Sequence, residues 1–189
     1  ETKVCVTAQH REMLDQVLTL FEITPDYDLD IMKPGQDLYD VTSNVLLGMK
    51  AVLSEFKPDI VFVHGDTSTT FAASLAAFYQ QISVAHIEAG LRSFNMRMPE
   101  EINRIIVDHC SDYLFAPTQD AIDNIHKEGL SDKAYLTGDI MVDSMELFLD
   151  KAINQSQIAG QLDLDNFEYA LLTLHRPCNV DNPEKLSLI

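Results

Sequence analysis

Histidine and carboxylate alternate in two short stretches, His64-Gly65-Asp66 and His86-Ile87-Glu88, each at the end of an apolar run. A third acidic pair, Glu100-Glu101, follows Pro99 and precedes Asn103-Arg104, and His175-Arg176 ends the run Ala170–Leu174. Several carboxylates and one histidine are the equipment for taking a proton off a substrate and giving it back. Glu88 lies just past a buried stretch, where a carboxylate is costly unless it is used or paired; Arg92 and Arg104 are the available partners. Asp66 and Thr67 suit a helix cap, and Thr67 with the hydroxyls Ser68-Thr69-Thr70 equally suits a phosphate at a helix's positive end. Glu100 and Glu101 after proline read as a first helical turn, which needs no further role for them. His175 is open in the same way: a lone histidine is commonly structural, while its titration near neutrality fits proton transfer.

Residues two apart in a strand face the same way, so His64 with Asp66 and His86 with Glu88 also suggest a divalent-metal hydrolase. A third ligand set is missing, and the chain has no Gly-x-Ser-x-Gly elbow for a serine hydrolase. The expectation is that no metal is held. Of only five arginines, Arg92, Arg97 and Arg104 crowd into thirteen positions, which points to a local anion site, because guanidinium binds phosphate with two prongs. The overall charge of −17 argues against a nucleic-acid-binding surface. Three scattered cysteines without CxxC spacing argue against a disulfide framework or zinc site and fit a reducing, cytoplasmic setting. No run approaches the length of a membrane span, so no membrane contact is expected.

The elements that must position these groups follow from hydrophobic periodicity. Strands are expected at Lys3–Thr7, Tyr27–Ile31, Asp59–Val63, Ser83–His86, Asp112–Ala116, Ala134–Thr137 and Ala170–Leu174. Helices are expected at Glu12–Phe21, Leu38–Glu55, Thr70–Gln81, Glu100–Cys110, Gln119–Glu128 and Ile140–Asn154. Asp59–Val63 is apolar on both faces and reads as a central parallel strand. Repeated strand–helix–strand units make a doubly wound, Rossmann-like α/β sheet over residues 1–154. Residues 155–168 read as a connection, and 169–189 as the start of a second domain. Glu1 in place of Met, an immediate strand, and a closing helix cut short at Glu184–Ile189 suggest truncation at both ends.

The ordered set of motifs resembles the non-hydrolysing UDP-N-acetylglucosamine 2-epimerase family. The matching pieces are Val4-Cys5-Val6-Thr7-Ala8-Gln9-His10-Arg11-Glu12-Met13-Leu14, Phe56-Lys57-Pro58-Asp59, Val63-His64-Gly65-Asp66-Thr67, His86-Ile87-Glu88-Ala89-Gly90-Leu91-Arg92, Pro99-Glu100-Glu101-Ile102-Asn103-Arg104 and Thr173-Leu174-His175-Arg176. The resemblance implies the N-terminal half of two Rossmann-like domains arranged as in GT-B glycosyltransferases. It implies interconversion of UDP-GlcNAc and UDP-ManNAc through elimination of UDP to a 2-acetamidoglucal and re-addition, with no metal or nicotinamide cofactor, in a homodimer. It places catalytic roles on Asp66, Glu88, Glu100 and His175. Arg104 and Arg176 become the cations for the leaving diphosphate, with His64, Thr67 and Arg92 lining the substrate site. Gln9 and Arg11, with Glu100, match part of a second UDP-GlcNAc site that activates some members. An opening strand and a Gly-Thr-Arg-Pro-Glu loop found in the family have no counterpart here, so a protein of 189 residues alone is expected to be inactive. A hydrolysing epimerase releasing UDP and ManNAc, and a glycosyltransferase of the same architecture, are the alternatives.

Overall fold

The computed structural model describes residues 1–8, 11–33, 35–164, 168–174 and 177–189. They divide into two compact units, Glu1–Met141 and Val142–Ile189. In the first, six parallel strands form two sheets. β1 (Cys5–Val6) pairs with β2 (Tyr27–Asp28), and β3 (Ile60–His64), β4 (Ser83–Ile87), β5 (Tyr113–Ala116) and β6 (Ala134–Leu136) pair in sequence order. In-register partners such as Val63 with His86 and His86 with Leu114 align the strand ends, and with them the loops that follow. Parallel strands joined by helices give the α/β class that the periodicity indicates.

The helices of this unit are α1 (Arg11–Leu20), α2 (Leu38–Phe56), α3 (Ser68–Tyr79), α4 (Pro99–Cys110) and α5 (Gln119–Lys127). α2 starts in a capping box: the Asp37 carboxylate accepts from the Tyr39 and Asp40 N–H groups, and Asp40 accepts from the Asp37 N–H. It stops at Lys57, which takes a left-handed conformation before Pro58. α3 turns Ala72, Ala73, Ala76 and Ala77 inward, and these small side chains let it sit close to α2. The main core joins them to Val45, Met49 and Leu53 of α2, Val63 of β3, Val84 of β4 and Val107 of α4. Each valine or leucine buried this way contributes about 1.5–3 kcal/mol. A second cluster packs Ala121, Ile122 and Ile125 of α5 beneath Leu114 and Ala116 of β5.

Two expectations are corrected. β3 pairs on one side only; its other edge faces a groove of about 630 Å³ lined by Cys5, Thr7, Met49, Leu53 and Phe62, so among the described residues it is an edge strand rather than a central one. Ala170–Leu174 is not a strand, because a ladder needs a partner and the described residues of Val142–Ile189 contain none. That second unit holds most of α6 (Ile140–Gln155), followed by α7 (Ile158–Gln161), α8 (Pro177–Val180) and α9 (Pro183–Leu186). Among the described residues, no helix is long and apolar enough to cross a membrane.

Candidate active site

Asp66 and Glu88 sit just beyond the carboxyl ends of β3 and β4, and Glu100 and Arg104 lie in the first turns of α4, the place where open parallel sheets bind ligands. At the end of β3 the chain turns sharply at Gly65 (φ 74°), a conformation that other residues adopt at a cost. The Gly65 N–H donates to the Ile87 carbonyl (3.1 Å), tying this turn to the end of β4. A side chain at 65 would place its Cβ 3.2 Å from the Glu88 carboxylate, so glycine is what lets that acid lie against the turn. Thr67 then caps α3, accepting from the Thr70 N–H (3.3 Å), while the Thr70 hydroxyl donates to the His64 carbonyl (2.6 Å). The capping role expected for Thr67 is thus filled.

Glu88 occupies left-handed backbone at φ 72°, uncommon for a side chain of its size. Its N–H and that of Ala89 both donate to the Phe115 carbonyl (3.1 Å each), which holds the turn in this strained shape. The Glu88 carboxylate stands 3.6 Å from His64 Nε2, and both side chains keep roughly 40% of their surface open. Gly90 follows at φ 80°; a Cβ there would fall 2.4 Å from the Ala121 carbonyl. Its N–H donates to Asp108 (3.1 Å) and its carbonyl accepts from Asn124 (3.0 Å), which binds the loop to α4 and α5.

The first turns of α4 close the site. Arg104 donates to the Asp66 carboxylate through Nη2 and to Glu101 through Nη1 (3.2 Å). Asn103 Nδ2 donates to the Asp66 carbonyl (2.8 Å). Glu101 is buried and receives four donors: the N–H groups of Ser93 and Phe94 (2.8 Å each), the Ser93 hydroxyl (3.0 Å) and Arg104. Burial is the strongest single influence on its carboxyl and raises its pKa, yet the bonds from Ser93, Phe94 and Arg104 outweigh it and hold the group below its ordinary range. Glu100, the preceding residue, is half-buried in the same first turn.

The turns therefore bring together Asp66, Thr67, His64, Glu88 and Arg104. Arg92 is placed elsewhere. Its side chain is 1% exposed, and the guanidinium donates to Asp108 (2.6 Å), to both Glu128 oxygens (2.7 and 2.8 Å) and to the Leu91 carbonyl (2.8 Å). Burial works against its charge, but Glu128 and Asp108 more than compensate and raise its pKa. Arg92 braces the loop behind the site with four of its five N–H groups engaged. Arg11 is exposed and bound to Asp28 (2.6 Å), with Asp15 nearby at 3.4 Å. Gln9, His175 and Arg176 lie outside the described residues.

His86 does not face Glu88 as an alternate ligand. Its ring is fully buried, with Nδ1 2.6 Å from Asp108 and Nε2 2.9 Å from the Gly65 carbonyl. Among the described residues, no three His, Cys, Asp or Glu side chains gather as a metal site. Sequence reasoning passed over Asp108, Glu128 and Asn103. Asp108 had a signal: it follows Ile105-Ile106-Val107, and an acid inside such an apolar run must find partners.

With two half-exposed carboxylates on either side of one glycine turn, and one cation beside them, the arrangement can move a proton and offset developing negative charge. The family described as UDP-N-acetylglucosamine 2-epimerase matches residues 1–189. The Neisseria meningitidis UDP-N-acetylglucosamine 2-epimerase is 51% identical over 184 residues, which is 93% of this chain and 49% of that protein. The Escherichia coli K12 enzyme of the same name is 50% identical over 165 residues, 86% of this chain and 44% of that protein. Among solved structures, the Methanocaldococcus jannaschii UDP-GlcNAc 2-epimerase in complex with UDP-GlcNAc and UDP superposes with a TM-score of 0.88 at 39% identity, covering 98% of this chain and 52% of that one. The Neisseria meningitidis enzyme bound to UDP-GlcNAc gives 0.80 at 53% identity, covering 86% and 44%. The chain thus spans about half the length of the curated relatives it matches.

Proposed function

This chain belongs to the UDP-N-acetylglucosamine 2-epimerase family, and on that premise we propose that the whole protein interconverts UDP-GlcNAc and UDP-ManNAc at C2. The observation that carries the reading is the Asp66–Arg104 pair set beside Glu88 across the Gly65 turn. One carboxylate takes the C2 proton; the C–H electrons form the C1–C2 double bond, and UDP leaves C1 with the electron pair of its C–O bond. The product is a 2-acetamidoglucal. Return of a proton to the opposite face of C2, with attack of UDP on C1, gives the epimer. Asp66, Glu88 and Glu100 are the candidates for these proton transfers, with His175 as the fourth. The C2 proton is weakly acidic, so the leaving diphosphate needs a cation; Arg104 and Arg176 are suited to that. His64 and Thr67 are candidates to line the sugar's side of the site, and Gln9 and Arg11 are candidates for binding a second nucleotide sugar. The reading makes the protein a cytoplasmic homodimer that uses no metal.

The test uses the full-length enzyme carrying this sequence, incubated with UDP-GlcNAc in heavy water. Deuterium at C2 in intact UDP-GlcNAc and UDP-ManNAc is expected. Free UDP with free ManNAc would replace this reading with the hydrolysing one. A nucleotide sugar left unlabelled at C2 would overturn both.

A further inference from the structure

One buried titratable side chain has no part in the chemistry just described. His86, in the inner strand β4, is fully buried, and both of its ring nitrogens have partners. Nε2 lies 2.9 Å from the Gly65 carbonyl; a carbonyl oxygen only accepts, so Nε2 carries a hydrogen and donates it. Nδ1 lies 2.6 Å from Asp108 Oδ1, and a proton is shared between those two atoms. Asp108 is itself fully buried, and its other oxygen accepts from the Gly90 N–H (3.1 Å) and Arg92 (2.6 Å). Arg92 continues the chain of contacts to Glu128, just past the end of α5.

This network ends on one peptide group, the carbonyl between Gly65 and Asp66. The next carbonyl, that of Asp66, is held by Asn103 (2.8 Å). Two side chains from different elements therefore fix two successive carbonyls of the turn that presents Asp66 and abuts Glu88. Fixed backbone of this kind matters for proton transfer, because a displacement of about 1 Å lowers turnover by about a hundredfold.

We infer that His86 is a positioning residue: its Nε2–H clamps the Gly65 carbonyl and so sets the Asp66 turn against Glu88, while Asp108 holds the imidazole in place. His86 touches neither acid directly. The kinetic arm of the test rests on the epimerase reading; the structural arm rests on the hydrogen bond alone.

Two substitutions separate the two ends of the ring. His86→Gln keeps an amide donor near the Nε2 position, and His86→Asn keeps one near Nδ1. In the full-length enzyme, H86N is expected to lose at least about tenfold in kcat with KM within about twofold, whereas H86Q stays within about threefold of the parent in kcat. Both remove one end of a buried network and both melt earlier. Equal kcat losses in the two variants, following their melting temperatures, would mean a purely structural histidine, and parental kcat in H86N would also overturn the inference. Amide hydrogen exchange at Gly65 and Asp66 reads the same clamp without turnover. Exchange at least about tenfold faster in H86N than in H86Q is expected, and equal exchange overturns the clamp. If the parent enzyme gives no C2 labelling, the epimerase reading fails and the exchange result alone decides. Should H86N not fold, the parent still decides: a His86 Nε2–H that exchanges slowly and couples through the hydrogen bond to the Gly65 carbonyl carbon is expected, and a freely exchanging proton refutes it.

Discussion

Replacing Glu101 by Gln changes one atom in a buried acceptor and tests how the loop before α4 is held. The carboxylate receives the Phe94 N–H on Oε1, and the Ser93 N–H, Ser93 hydroxyl and Arg104 on Oε2. Glutamine keeps a single acceptor oxygen. If that oxygen takes the Oε2 place, the new NH₂ faces the Phe94 N–H, donor against donor. If it takes the Oε1 place, three donors are left facing the amide. The milder arrangement loses one charge-assisted bond outright and weakens three, which costs about 2–3 kcal/mol. For a protein of this size that is a fall of roughly 4–12 °C in Tm. The pH dependence has a definite sign. The carboxyl is held below its ordinary value, because the bonds from Ser93, Phe94 and Arg104 overcome burial, so its stabilisation is full above the unfolded value of about 4.5 and is lost as pH falls through the lower folded value. Melting curves of the parent and E101Q, followed by circular dichroism, should differ most at neutral pH and draw together as pH falls below about 4.5 and through the lower folded value. A difference under about 1 °C at pH 7, or a gap that widens in acid, would refute the assignment of this carboxylate as the anchor of residues 93–94.

Asp66→Asn and Glu88→Gln in the full-length enzyme should each lower kcat for UDP-GlcNAc epimerisation by at least about a hundredfold, as removal of an acid–base group does; near-parental rates in either would remove that residue from the proton transfers. Gly65→Ala forces a side chain into left-handed backbone and sets its Cβ 3.2 Å from Glu88. It should cost about 1–2 kcal/mol, visible as a lower Tm, and should lower kcat more than KM; unchanged Tm and kcat would show that the turn can relax. Cys5 lines the groove beside β3, and burial, with Asp28 adding to it, pushes its thiol up to about 11. Alkylation of Cys5 at pH 8 should therefore run about two orders of magnitude slower than that of a free thiol and rise towards pH 11; a midpoint near 8.5 would contradict the burial.

The helices were legible because each carries its own punctuation: the periodicity of Leu38–Glu55 is bounded by Asp37 and by Lys57-Pro58, and the structure places α2 at Leu38–Phe56. Strands were harder at their ends, since pairing decides where a strand stops. Lys3–Thr7 was expected and only Cys5–Val6 is laddered, while Ala170–Leu174 has the composition of a strand and no described neighbour to bond. The candidate acids were legible from alternation after apolar runs, because in a parallel sheet the strand ends are where a ligand can lie. What alternation could not convey was direction. His64 with Asp66 and His86 with Glu88 look equivalent in sequence, yet His64 lies open beside Glu88 while His86 turns inward to Asp108. Arg92 and Arg104 look equivalent too. The difference is set by residues far along the chain: Asp108 and Glu128 consume Arg92, whereas Arg104 is drawn to Asp66 with part of its surface open to the site. A charged side chain's role in this protein thus follows from where its counter-charges sit: those of Arg92 lie in α4 and just past α5, outside the motifs, whereas that of Arg104, Asp66, lies within one.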